Sequence, residues 1–204
     1  MQSDEQKLEQ QRKGRMVLLL MVVFFMVPML VVIAMYKFNW KPAGDSYGEL
    51  VKPPHAIDNA SQLLDSAGNA LPALLWKDKW SIVYISDDCP AKCQTKLHDM
   101  RQLHVSLYKD VIRVQRVWLT KLTDADKLKQ IKKEYPELMI INQPHEQLDR
   151  LIQQFQDDDD QIKKGDQFYL VDPLGFYMMQ YAEDIPLAHV RKDMVKLLKS
   201  SWAG

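Results

Sequence analysis

The chain has 204 residues and carries 27 Lys and Arg against 27 Asp and Glu, so it is formally neutral. Neutrality removes any global case for nucleic acid or for a strongly acidic partner. Seven glycines and no visible repeat argue against collagen-like and solenoid architectures, and the length fits one domain of ordinary size with an appendage.

Read from the N-terminus, a basic cluster of Arg12, Lys13 and Arg15 leads into MVLLLMVVFFMVPMLVVIAMY, Met16 to Tyr36, which holds no charge. A bilayer core of about 30 Å takes about 20 helical residues, and Pro28 is tolerable inside a membrane helix. A cleaved signal would have an apolar stretch of about 7–15 residues followed by a small-residue cleavage site. Here the bulky Met35, Tyr36, Phe38 and Trp40 follow instead. Residues 1–15 are therefore expected as a cytoplasmic tail and 16–36 as an uncleaved transmembrane helix in the inner membrane. The tight basic cluster before the span places the N-terminus in the cytoplasm and the remainder in the periplasm or its extracytoplasmic equivalent. Tyr36 and Trp40 suit the outer interfacial belt.

Residues 37–58 are expected as a linker. KPAGDSYGELVKPPHA (41–56) is rich in Pro and Gly and reads as a tether. Residues 59–204 form the folded domain. In SQLLDSAGNALPALLW, apolar residues flank Asp65-Ser66-Ala67-Gly68-Asn69, which predicts a short hairpin. WSIVYIS (80–86) is a buried-strand run. From Pro90 to about Lys109, Leu97, Met100, Leu103, His104 and Leu107 recur at helical spacing. VIRVQRVWL (111–119) alternates as a strand, and Asp124 is placed to cap a helix through Tyr135 with Leu128 and Ile131 inward. ELMIIN reads as a strand. Pro144 to Phe155 is helical, with Leu148, Leu151, Ile152 and Phe155 on one face. QFYLVDPLGFYMMQY gives two strands about an Asp172-Pro173-Leu174-Gly175 turn. Leu187 to Trp202 closes the chain as a helix, with Val190, Met194, Leu197 and Leu198 inward. Alternating strands and helices followed by a terminal β-β-α predict an α/β fold of thioredoxin-like order with an N-terminal hairpin, preceded by one transmembrane helix.

Cys89 and Cys93 are the two cysteines of the chain and sit where the first long strand hands over to a helix, in SDDCPAKCQ. Pro90 suits the first helical position, which makes Cys89 the cap and puts the two Cα atoms about 6 Å apart, inside the disulfide range of about 4.4–6.8 Å. Helix N–H groups, Lys92 and Lys96 favour a thiolate here, whereas Asp87 and Asp88 oppose it. Cys93 shares the apolar stripe of Leu97 and Met100, so it is expected to be the more buried, resolving thiol, with Cys89 attacking. Two soft sulfurs also make a Cu(I) site. A structural disulfide or inert buried thiols remain the bland alternative. A loop this small removes little unfolded-state entropy, which weakens that alternative.

The stretch IVYISDDCPAKCQTKL resembles the strand, C-P-x-x-C-P turn and helix of the SCO/SenC family. FYLVDPLGFYMMQY is similar to that family's Y-L-[IV]-D-P-x-G hairpin. TDADKLKQIKKEY and INQPHEQLDRLIQQF look like its intervening helices, so the likeness covers about residues 60–200 plus the anchor. The resemblance implies a membrane-anchored, thioredoxin-like accessory protein of cytochrome c oxidase biogenesis. It would act as a thiol–disulfide oxidoreductase through a Cys89–Cys93 disulfide, with Cu(I) transfer to the copper A site as a second role. Its partner would be cytochrome c oxidase subunit II or another assembly factor. Two departures stand out. Gln94 replaces the second proline, and Lys164 occupies the position of the copper-binding histidine.

Of the histidines, His98 falls about half a turn round the helix from Cys89, His104 reads as a core residue, and His55 and His189 as surface residues. His145, after the strand ending at Asn142, is the best-placed third metal ligand, since strand ends of one sheet edge converge. Met178 and Met179 are expected to pack in the core, on opposite faces of a strand. Asp157 to Asp160 reads as a solvated loop. Two other functions fit the same residues: a non-catalytic assembly factor with a vestigial disulfide, and a general extracytoplasmic disulfide reductase.

Overall fold

The structure, a computed structural model, describes residues 2–38, 46–58, 63–72, 74–143, 145–155 and 167–201; the side chains of residues 2–11 and of His145 fall outside that description. The chain divides into two units, Met1–Asp45 and Ser46–Gly204. The first is a helix, α1 (Gln2–Lys37), which continues through Pro28. Arg12–Lys37 is long and apolar enough to cross a membrane, with a mean hydropathy of 3.1. Nearly all of its side chains are exposed, Phe24 and Phe25 by 73% and 74%. In water so much apolar surface would be strongly unfavourable, so the surface needs an apolar surrounding. Trp40 and the acidic run Asp157 to Asp160 lie outside the described residues.

The second unit is an α/β domain. Among the described residues, seven strands form one sheet in the order β1-β7-β6-β3-β4-β5-β2. The strands are β1 (Glu49–Ala56), β2 (Leu64–Asp65), β3 (Trp80–Ser86), β4 (Val114–Thr120), β5 (Leu138–Gln143), β6 (Phe168–Val171) and β7 (Phe176–Tyr181). β3, β4 and β5 run parallel; β6, β7, β1 and β2 join antiparallel. The helices are α2 (Ala91–Val105), α3 (Ala125–Glu134), α4 (His145–Gln153) and α5 (Leu187–Ser200).

Alternation along the strands builds two cores. Trp80, Ile82 and Tyr84 of β3 join Trp118, Ile140, Phe168 and Leu170 under Leu97 and Met100 of α2, Leu128 and Ile131 of α3, and Val190 and Met194 of α5. The intervening Val83, Val117, Ile141 and Val171 face Leu148 and Leu151 of α4, with Trp76 and Phe155. Both faces of the sheet are thereby covered, as parallel strands require. Asp124 caps α3 as its position predicts, accepting the N–H groups of Asp126 and Lys127 at 3.0 and 3.1 Å. The Asp65–Asn69 segment turns back on itself: Asp65 Oδ1 accepts the Ala67 and Asn69 N–H groups, and Leu64 bridges Ala70. Leu64–Asp65 also adds to the edge of β5.

Several expectations need correction. Residues 49–56, read within the tether, form β1 against β7. Pro53 and Pro54 obscured it; the register shifts between Leu50 and His55, and prolines in sheets are confined to such edges and irregularities. The chain enters β1 on Asp193 of α5. This buried carboxylate accepts the Tyr47 and Gly48 N–H groups at 2.8 and 3.0 Å. A side chain at position 48 would meet Met179 and Tyr181, so only glycine fits. The helix expected to run to about Lys109 ends at Val105, and residues 108–113 form a 3-10 turn, so β4 starts at Val114 rather than Val111. Tyr108 breaks the helix with φ 51°, and Arg113 turns back to the Leu198 and Ser201 carbonyls at the end of α5. His55 is half-buried, with Nε2 2.6 Å from the Gln154 carbonyl oxygen, and His189 stacks on Tyr47 at 4.0 Å; neither is a plain surface residue. Met178 and Met179 do pack in the core, but against the same cluster, because the β6–β7 register shifts between Leu170 and Val171.

Candidate redox site

The Cys turn sits at the C-terminal end of β3, fourth of the seven strands, where α2 begins. Cys89 and Cys93 form a disulfide. Their Cα atoms are 4.9 Å apart, closer than the helical spacing predicts. Pro90 explains the difference. Its ψ of −177° is extended, so it is the N-cap and not the first helical residue, and its carbonyl accepts the first helix bond, from the Gln94 N–H at 3.1 Å. Cys89 therefore precedes the helix and folds back over its first turn.

Both cysteines are buried, Cys89 at 0% and Cys93 at 1% exposure. The expected contrast between an accessible Cys89 and a buried Cys93 is absent. Cys89 lies three residues past the end of β3 and enters the same cluster as Cys93, Leu97 and Trp118.

The two sulfurs stand in different polar surroundings. On the Cys89 side, the Asp88 carboxylate accepts the Cys89 N–H at 2.6 Å and pairs with Lys127 at 3.1 Å. The Cys89 N–H first, and then Lys127, hold the Asp88 carboxyl below the usual carboxylate range. Asp87 lies 3.9 Å from Lys121, which pairs more closely with Asp149 at 2.7 Å. On the Cys93 side, the Ser86 hydroxyl lies 3.8 Å from Cys93 Sγ, and the Trp118 indole N–H donates to Ser86 Oγ at 2.9 Å. Sequence reasoning passed over Ser86 and Trp118. Strand parity was the available signal, since Ser86 follows Ile82 and Tyr84 on the face that packs under α2. Lys92 and Lys96 turn toward Glu183, Lys92 by an ion pair of 2.6 Å and Lys96 through the backbone carbonyl.

Among the described side chains, no histidine joins the sulfurs in a metal-binding group. His98 is exposed and bonded to Gln102, and His104 is buried with Nε2 2.8 Å from the Val114 carbonyl oxygen. His145 opens α4 after β5, and its side chain lies outside the described residues, as does Lys164. Among the described residues no group of three or more His, Cys, Asp or Glu is arranged to hold a metal ion. The described residues thus supply two sulfurs, joined to each other, and no third ligand.

An α/β sheet with a Cys-x-x-x-Cys disulfide at the end of its central parallel strand defines a thioredoxin-like domain. Residues 80–201 match the family described as transmembrane-like, thioredoxin-like, C-terminal domain, and the chain belongs to that family. Comparison with curated proteins finds no match. Among solved structures the fold is similar to that of yeast Sco1, at 19% identity and a TM-score of 0.57, covering 72% of this chain and 97% of that one. It is also similar to copper-bound ScoI of Arabidopsis thaliana, at 16% identity and a TM-score of 0.56, covering 76% and 100%. A third is BsSco, described as a member of the Sco family of cytochrome c oxidase assembly proteins with a disulfide switch, at 18% identity and a TM-score of 0.53, covering 74% and 98%.

Proposed function

We propose that this protein is a membrane-anchored accessory factor of cytochrome c oxidase assembly that works by thiol–disulfide exchange at Cys89 and Cys93. The observation that carries the reading is the disulfide at the junction of β3 and α2. The anchor would be Arg12–Lys37, with the N-terminus cytoplasmic and the domain extracytoplasmic, where disulfides persist. The likeness to BsSco supports the client class. In the exchange, a client thiolate attacks one sulfur of the pair, a client–protein disulfide forms, and the other cysteine leaves as a thiolate. That thiolate can attack back, re-forming Cys89–Cys93 and releasing the client reduced; alternatively a second client thiolate attacks the mixed disulfide, which releases the client as a disulfide and leaves both Cys89 and Cys93 reduced. Both sulfurs are buried, so a protein client must first uncover the turn.

The copper reading has less support. Reduction would free two thiolates for Cu(I), but the described residues add no third ligand. His145 is the third ligand this reading would use. Titration of the reduced protein with Cu(I) tests it: stoichiometric binding lost in both Cys variants supports a copper role, and no binding leaves exchange alone.

The burial of both sulfurs favours a second reading, an assembly factor whose disulfide is purely structural. Single Cys89→Ser and Cys93→Ser replacements in cells decide between them. Loss of assembled oxidase supports exchange. Unchanged assembly supports the structural reading, and loss of disulfide reduction in other exported proteins would point to a general reductase.

A further inference from the structure

The environment of the disulfide is asymmetric, and the asymmetry has a chemical direction. An indole N–H is a donor and cannot accept, so its bond to Ser86 Oγ at 2.9 Å fixes that oxygen as the acceptor. The Ser86 O–H is then left to donate, and Cys93 Sγ stands 3.8 Å away, within the longer range of bonds to sulfur. A disulfide sulfur accepts weakly, whereas a thiolate accepts strongly, because hydrogen bonds to charged acceptors are about twice as strong. The contact therefore strengthens when Cys93 becomes a thiolate. Cys89 has the opposite surroundings. Its own N–H is turned to a carboxylate, that of Asp88, whose negative charge stands beside it. Among the described residues, the lysines around the turn have oxygen partners: Lys127 pairs with Asp88, Lys121 with Asp149 and Asp87, and Lys92 with Glu183, while Lys96 donates to the Glu183 carbonyl.

We infer that Trp118 and Ser86 form a donor chain that makes Cys93 the thiolate-bearing, leaving sulfur and directs an incoming thiol to Cys89. The inference rests on the exchange reading above and assigns its polarity. A client thiolate attacks Cys89 Sγ, the client–Cys89 bond forms as the Cys89–Cys93 bond breaks, and the electron pair passes to Cys93 Sγ, which accepts the Ser86 O–H. Ser86 and Trp118 are positioning residues, since they act through Cys93 and touch no client.

The test uses the full chain in detergent micelles, with Cys89→Ser present so that Cys93 is the sole thiol. Its ionisation is followed by thiolate absorbance against pH. Ser86→Ala is expected to raise the Cys93 pKa by about one unit, a tenfold loss of thiolate, equivalent to about 1.4 kcal/mol. Ser86→Thr, which keeps the hydroxyl, restores it. Trp118→Phe, which removes the donor behind Ser86, shifts it in the same direction. In the chain with both cysteines, Ser86→Ala lowers the midpoint potential by about 30 mV, measured above both pKa values. In a Cys93→Ser background, Ser86→Ala leaves the Cys89 pKa in place. A folded Ser86→Ala protein with an unmoved Cys93 pKa overturns the inference, and so does an equal shift at both cysteines. These readouts need no client. If the Cys variants leave oxidase assembly intact, the exchange reading falls while the thiolate shifts stand; if only the shifts are missing, the inference falls alone.

Discussion

Reducing the Cys89–Cys93 disulfide is predicted to leave the domain folded. The bridge closes a loop of sequence separation 4, and chain-entropy arguments give such a loop about 2 kcal/mol of stabilisation through the unfolded state. A domain of ordinary stability has roughly 5–15 kcal/mol in hand, so a loss of this size leaves it native. The buried setting adds little to the cost, because a reduced cysteine behaves as a small apolar side chain and both residues already lie among Leu97, Trp118 and Leu122. The assay is urea unfolding of the full chain in micelles, followed by tryptophan fluorescence, with and without a reductant. A midpoint displaced by the equivalent of about 2 kcal/mol, at unchanged slope, is expected. Unfolding on reduction, or a loss above about 4 kcal/mol, would refute the reasoning and mark the bridge as a structural staple.

Two further outcomes follow from the packing. Asp193→Ala strands the Tyr47 and Gly48 N–H groups at the entry to β1 and should cost about 2–4 kcal/mol in the same unfolding assay; Asp193→Asn, which keeps an acceptor oxygen, should cost less, and a loss below about 0.5 kcal/mol for alanine would remove Asp193 as the anchor of β1. His104 gives a pH dependence. Burial first, and then the nearby Arg116, hold its pKa below the ordinary value of 6.5, while its bond to the Val114 carbonyl opposes them. The unfolded chain therefore binds the extra proton first. The stabilisation is fully present above pH 6.5 and is lost as pH falls below it toward the folded value, by at most about 1.4 kcal/mol per pH unit. His104→Gln should flatten that part of the stability profile, and an unchanged profile would contradict the assignment.

The sheet was legible where local signals agreed. Trp80–Ser86 is rich in β-branched and aromatic residues, and Asp124 announces α3 by its capping chemistry alone. The failures occur where tertiary contacts overrule local pattern. Pro53 and Pro54 read as tether, yet Asp193, more than 130 positions later in the chain, holds the preceding residues against β7. Tyr108 sits in a backbone conformation that no periodicity predicts. The pairing of the two cysteines was legible and its setting was not. The turn and its pairing follow from Cys89 and Cys93, whereas the burial of Cys89 and the Trp118–Ser86 chain depend on how β4 stands beside β3.

The midpoint potential of the Cys89–Cys93 couple tests the exchange reading most directly. It is measured on the full chain equilibrated in thiol–disulfide buffers of defined poise. A protein that exchanges disulfides with clients should have a potential above about −300 mV, within reach of cellular thiol couples. A value below about −300 mV would define a structural disulfide and contradict the account.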